Sequence, residues 1–213
     1  MQLSDQILVA NDEVLQNMLT HRFVEDIKAD SLPEAVFHRY LAYEGAFVET
    51  AISIFSFATA RAPEIGSQRW LIGVLESLAN TQVPYFESVL ARLGILRPGT
   101  VPDAVAAFDR GMLDLSRDGS FIDIVTAMFA AEWMYWTWCS ATSKLNITDP
   151  DLKEWVDLHA TPEFAEQAQW LKGMIDIFGK QSDAARLSAV FESVMCLEIA
   201  FHSAAYETDR SQG

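Results

Sequence analysis

The chain has 213 residues, of which 50% are apolar and 21% charged; that leaves enough apolar surface to offset chain entropy, and it excludes a disordered protein. Thirty acidic against 15 basic residues give a formal net charge of -15, so the mean surface field repels phosphate polyanions and no nucleic-acid partner is expected. Cys139 and Cys196 are the only two cysteines, too few for a disulfide scaffold or a four-thiolate metal site, and they fit a reducing compartment.

From Met1 to Glu13 the chain carries Asp5, Asp12 and Glu13 without a Lys or Arg, unlike the basic start and apolar run of a secretory signal. The best apolar stretch, Ala51 to Ala60, is about half the length of a membrane span. The expectation is one cytoplasmic domain over residues 1–213, with its core at about 10–209 and no membrane partner.

Helical periodicity runs through the chain and strand alternation is nearly absent. It predicts helices over about 10–29, 33–60, 66–93, 103–117, 120–145, 150–158, 162–179 and 182–208. The breaks between them, at Ser31-Leu32-Pro33, Ala62-Pro63, Gly94 to Pro102, Asp118-Gly119 and Asp149-Pro150, are as short as antiparallel helices of one bundle need. Ser31 stands three residues before Glu34 as a capping box with Pro33 in the first turn, Asp149-Pro150 opens a later helix, and Gly94 closes the third. The fold class is all-α, with no repeat and no domain boundary.

Three of these helices carry a carboxylate inside an apolar stripe. Phe37, Tyr40, Leu41, Glu44, Phe47, Val48 and Ala51 share one face of the second. Val125, Met128, Phe129, Glu132, Tyr135, Trp136 and Cys139 share one face of the fifth, and Leu187, Phe191, Val194, Glu198, Phe201 and Ala205 one face of the last. Taking an ionised carboxylate off water costs several kcal/mol unless it is paired, protonated or bound. One such Glu reads most simply as a rim position or a partner for a buried hydroxyl. Three together point to a shared pocket with acceptors and aromatic walls, suited to a neutral or cationic ligand bearing N–H groups.

A di-iron or di-manganese bundle would need Glu-x-x-His pairs, whereas Glu34/His38 and Glu198/His202 are Glu-x-x-x-His. His21, His38, His159 and His202 each read as hydrogen-bonded packing residues, haem ligation by one of them being the other possibility, and no cofactor is assigned. Within the aromatic run Trp133, Tyr135, Trp136 and Trp138, Trp136 shares the Glu132 face and is assigned to the pocket wall. Cys139 lies two turns beyond Glu132, about 10 Å along the axis, and with no His placed to activate it an inert buried thiol is expected there and at Cys196.

Four segments in order resemble the TenA/thiaminase II family of haem-oxygenase-like helical proteins. HRFVEDIKADSLPEAVFHRYLAYEGAFVETA, from His21, resembles its opening helices, and EWMYWTWCSA its central aromatic motif. LKEWVDLHATPEFAE resembles its Trp-containing stretch and LEIAFHSAAYE its closing helix. The resemblance implies a homotetrameric enzyme of thiamin salvage that hydrolyses thiamin-derived aminopyrimidines, among them amino- or formylaminomethyl pyrimidines. Glu44 would bind the amidine-like edge of the ring. Glu198 would pass a proton to the leaving amine, and Tyr43, Phe47, Phe108, Trp136, His159 and Phe201 would line the ring slot.

The nucleophilic cysteine of the family aligns with Glu132, its pocket tyrosines with Phe47, Phe108 and His159, and its Trp after Phe201 with His202, which places the chain in a cysteine-lacking branch. A carboxylate is a poor substitute for a thiolate in adding to an aromatic ring. Like-charge repulsion between Glu132 and Glu198 would instead leave one acid and one base for hydrolysing an amide. The alternative is a non-catalytic small-molecule-binding or regulatory protein.

Overall fold

The computed structural model describes residues 1–207. Its elements are α1 (Leu3–Ala10), α2 (Asp12–Leu19), α3 (Arg22–Lys28), α4 (Glu34–Arg61), α5 (Ile65–Ser77), α6 (Val83–Leu93), α7 (Asp103–Asp118), α8 (Phe121–Thr142), α9 (Pro150–Leu158), α10 (Pro162–Phe178) and α11 (Ala184–Ala204). A π turn, Leu78–Gln82, joins α5 to α6, and a 3-10 turn, Gln181–Asp183, precedes α11.

The single helix expected over 10–29 is two, α2 and α3, and α1 precedes them where no helix was expected. At Asn11 the side-chain amide donates to the Ile7 carbonyl at 2.9 Å and to Ser188 Oγ at 2.8 Å, competing with the backbone ladder. At His21 the backbone is extended and Nδ1 accepts the Phe23 N–H, which starts α3 anew. The capping box expected at Ser31 does not form. Pro33 is itself the N-cap residue, and the Ser31 hydroxyl donates back to the Asp26 carbonyl. Asp149 caps α9 by accepting from the N–H groups of Asp151 and Leu152, and Gly94 closes α6 at φ 66. The last helix ends at Ala204, before the expected 208; position 208 and the end of the expected core at 209 lie outside the described residues.

The helix expected over 66–93 is continuous but widens at the π turn. Pro84 has no N–H to give the Asn80 carbonyl, and its ring crowds that oxygen, so the backbone opens by one residue there. Leu78 and Gln82, on that turn, reach the interior.

Fifteen of the 22 residues of α8 are buried, as a helix apolar all round requires, and α10, α11, α4 and α7 pack around it. By length and composition α4 alone among the described helices could cross a membrane, with a mean hydropathy of 1.2, but 56% of that window is buried inside the protein, as in a core helix. A Cβ on Gly111 of α7 would meet Leu197 of α11 at 2.8 Å. The bare position lets these two helices close, bringing Phe108 and Phe201 ring to ring at 4.8 Å.

Candidate functional site

Glu44 on α4, Glu132 on α8 and Glu198 on α11 line one interior cavity of about 80 Å³. That is several times the room one water needs and far below a drug-sized pocket, so it fits a single small ring. Its walls include Phe47, Phe55, Met128, Phe164 and Phe201, with Phe108 from α7 and Gln82 from the π turn. The three helices meet because each presents its apolar stripe to the others, and the glutamates arrive as passengers on those stripes.

Glu44 is held from two sides. Trp155 Nε1–H donates to its Oε2 at 2.6 Å, and His159 Nε2 lies 3.4 Å from Oε1. His159 Nδ1 sits 2.9 Å from the Trp155 carbonyl, which can only accept, so that nitrogen carries a proton. Burial alone would push the imidazole down, but Glu44 outweighs it and the net shift is upward. When His159 is protonated on both nitrogens, the two form a buried ion pair.

Glu132 Oε1 accepts from Gln167 Nε2 at 2.6 Å, while Oε2 is buried without a partner. Burial pushes this carboxyl up to about 7, against the pull of the Gln167 amide and of His159. Both Glu198 oxygens are buried without a hydrogen-bond partner, and burial, reinforced by Glu44, pushes that carboxyl well above the usual range against the pull of the nearby Tyr135 hydroxyl. The separation of proton affinities expected from mutual repulsion of Glu132 and Glu198 thus has a different origin: removal from water comes first for both, and the nearby charge acting on Glu198 is that of Glu44.

Phe47, Phe108, His159 and Phe201 line the cavity with the three glutamates. Trp136 does not. It stands four residues after Glu132, rotated to one side of it, and its ring packs on Trp133 at 5.0 Å. Tyr135, rotated to the other side, is the aromatic that reaches the cavity. Tyr43 lies outside as well, on a neighbouring groove of about 500 Å³ shared with Phe47, Phe108 and Phe201. Cys139 is buried, its thiol pushed well above its ordinary value by burial and then by Glu44, and Cys196 is exposed. Sequence reasoning missed Tyr135, Trp155, Gln167 and Gln82. Tyr135 was visible in the stripe; the other three reach the site from α9, α10 and the π turn, whose direction no periodicity gives. Among the described residues no three His, Cys, Asp or Glu side chains are grouped as metal ligands.

The chain resembles known proteins over almost its whole length. It is 24% identical over 198 residues to an aminopyrimidine aminohydrolase from Halalkalibacterium halodurans, an alignment covering 87% of each protein. A TenA homologue from Pyrococcus furiosus superposes with a TM-score of 0.87 at 20% identity, covering 96% of this chain and 100% of the other. A TenA family transcription regulator from Silicibacter sp. TM1040 also gives 0.87, at 16% identity with 97% of both chains covered. The all-α bundle is the haem-oxygenase-like fold of these proteins. The sequence profile of the TENA/THI-4/PQQC family matches residues 10–208, and the chain belongs to that family.

Proposed function

We propose that this protein hydrolyses thiamin-derived aminopyrimidines, with a formylaminomethyl pyrimidine as its substrate type, Glu198 as general acid and Glu132 as general base. The observation that carries the reading is a pair of buried carboxyls in one ring-sized cavity, one held up to about 7 and the other well above the usual range. Near neutral pH the first is partly ionised and takes a proton, while burial and the Glu44 charge favour the protonated form of the second, which gives one. The name of the Halalkalibacterium relative supports the ring class.

The pyrimidine lies between Phe47, Phe108 and Phe201, and its amino edge donates to the lone pairs that Trp155 and His159 leave free on Glu44. Glu132 removes a proton from water as the water oxygen bonds to the formyl carbon. The tetrahedral adduct then breaks its C–N bond, Glu198 delivers its proton to the departing nitrogen, and free amine and formate leave. Cys139, buried and with its thiol pushed upward, takes no part. The reading carries with it a homotetramer in the cytoplasm. Incubating the protein with a formylaminomethyl pyrimidine should release amine and formate with a bell-shaped pH dependence. Saturable binding without turnover would favour a non-catalytic binder instead.

A further inference from the structure

Three polar side chains that this mechanism does not use, Tyr40, Tyr135 and His202, are gathered beside Glu198. Tyr40 and His202 are fully buried, and His202 Nδ1 is 3.6 Å from Glu198 Oε2. The polarity of their hydrogen bonds follows from one contact. His202 Nδ1 lies 2.8 Å from the backbone carbonyl of Glu198; a carbonyl only accepts, so Nδ1 carries the proton. Burial pushes the imidazole down to about 3, so the ring is neutral and Nε2 is a bare acceptor. The donor facing it is the Tyr135 hydroxyl at 3.5 Å. Tyr135 also shares a short hydroxyl contact with Tyr40. With the Tyr135 proton turned to His202, Tyr40 is the donor of that contact.

The protons therefore run from Tyr40 to Tyr135 to His202 and on to the backbone of Glu198, bypassing its side chain. Turned to Glu198, the Tyr135 hydroxyl would pull that carboxyl down; turned to His202, it offers Glu198 only a lone pair, which suits a carboxylic acid and repels a carboxylate. We propose that His202 fixes the polarity of this chain by holding the Tyr135 proton, and so keeps Glu198 a proton donor; Tyr135 and His202 are positioning residues for the acid. The inference rests on the reading of Glu198 as general acid. The titratable groups facing that carboxyl are Glu44 and Tyr40 from α4, Glu132 and Tyr135 from α8, His159 across the cavity and His202 on its own helix.

The test is an infrared pH titration of the protonated-carboxyl C=O band, identified as Glu198 by its loss in Glu198→Gln. It is run on the whole protein without substrate, so it reads the polarity even if no aminopyrimidine is turned over, and a failure of hydrolysis is a separate result. His202→Leu removes the acceptor, and His202→Asn removes it while keeping an N–H for the Glu198 carbonyl, in case the first variant folds poorly. Either should free the Tyr135 proton for the carboxylate and lower the Glu198 midpoint by about one pH unit, the worth of one hydrogen bond gained by a charged acceptor. Adding Tyr135→Phe should erase that fall. An unchanged or raised midpoint in the His202 variants, or a fall that persists without the Tyr135 hydroxyl, would overturn the proposal.

Discussion

Replacing Glu132 by Gln should stabilise the protein above neutral pH and change little in acid. The carboxyl is 8% exposed, with one oxygen bound by Gln167 and the other unpartnered. Burial raises it from 4.5 to about 7, so between those values the folded state binds a proton that the unfolded chain has lost. The contribution is fully present below pH 4.5 and is lost as pH rises through 7. At about 1.4 kcal/mol per unit, ionising Glu132 in the folded protein costs roughly 3 kcal/mol relative to the unfolded chain. Gln keeps the acceptor that Gln167 needs and never ionises. Urea unfolding of both proteins should show a difference near zero at about pH 4, growing to about 2–3 kcal/mol in favour of the variant at about pH 8. A difference that does not vary with pH would refute the reasoning, because it would mean that this carboxyl titrates alike in both states.

Glu198→Gln should lower turnover of a formylaminomethyl pyrimidine at least about 100-fold, the usual worth of a general acid, while Cys139→Ser keeps most of it; steady-state rates on the purified variants decide both. Glu132→Gln should flatten one limb of the pH–rate profile, since a bell requires an acid and a base. Trp155→Phe removes the N–H that Glu44 accepts and should cost roughly 10- to 100-fold in kcat/KM, the worth of a hydrogen bond to a charged group, with most of the loss in KM. Fluorescence anisotropy should find no tight binding of duplex DNA at physiological salt; sub-micromolar, salt-sensitive binding would contradict the charge argument.

Glu44, Glu132 and Glu198 were legible because a charge inside an apolar stripe is costly wherever the stripes meet, and stripes of one bundle meet in its middle. What surrounds them was less so. The tie from Trp155 to Glu44 spans 111 residues and the one from Gln167 to Glu132 spans 35, distances over which periodicity carries no information. Trp136 was misplaced because a shared face is a broad sector, and the roughly 100° between successive helical residues separates Tyr135, inside, from Trp136, outside. The break at Asn11 is a side-chain hydrogen bond to α11, a tertiary event that local propensity does not report, and the π turn is legible only in hindsight from Pro84.

Turnover in heavy-oxygen water, with products read by mass spectrometry, tests the central claim most directly. If Glu132 activates water against the formyl carbon and Glu198 protonates the leaving nitrogen, the label appears in formate and the aminomethyl pyrimidine leaves unlabelled. Label on a hydroxymethyl pyrimidine would move the attack to the methylene carbon, and binding of the substrate with no labelled product would contradict catalysis by this pair.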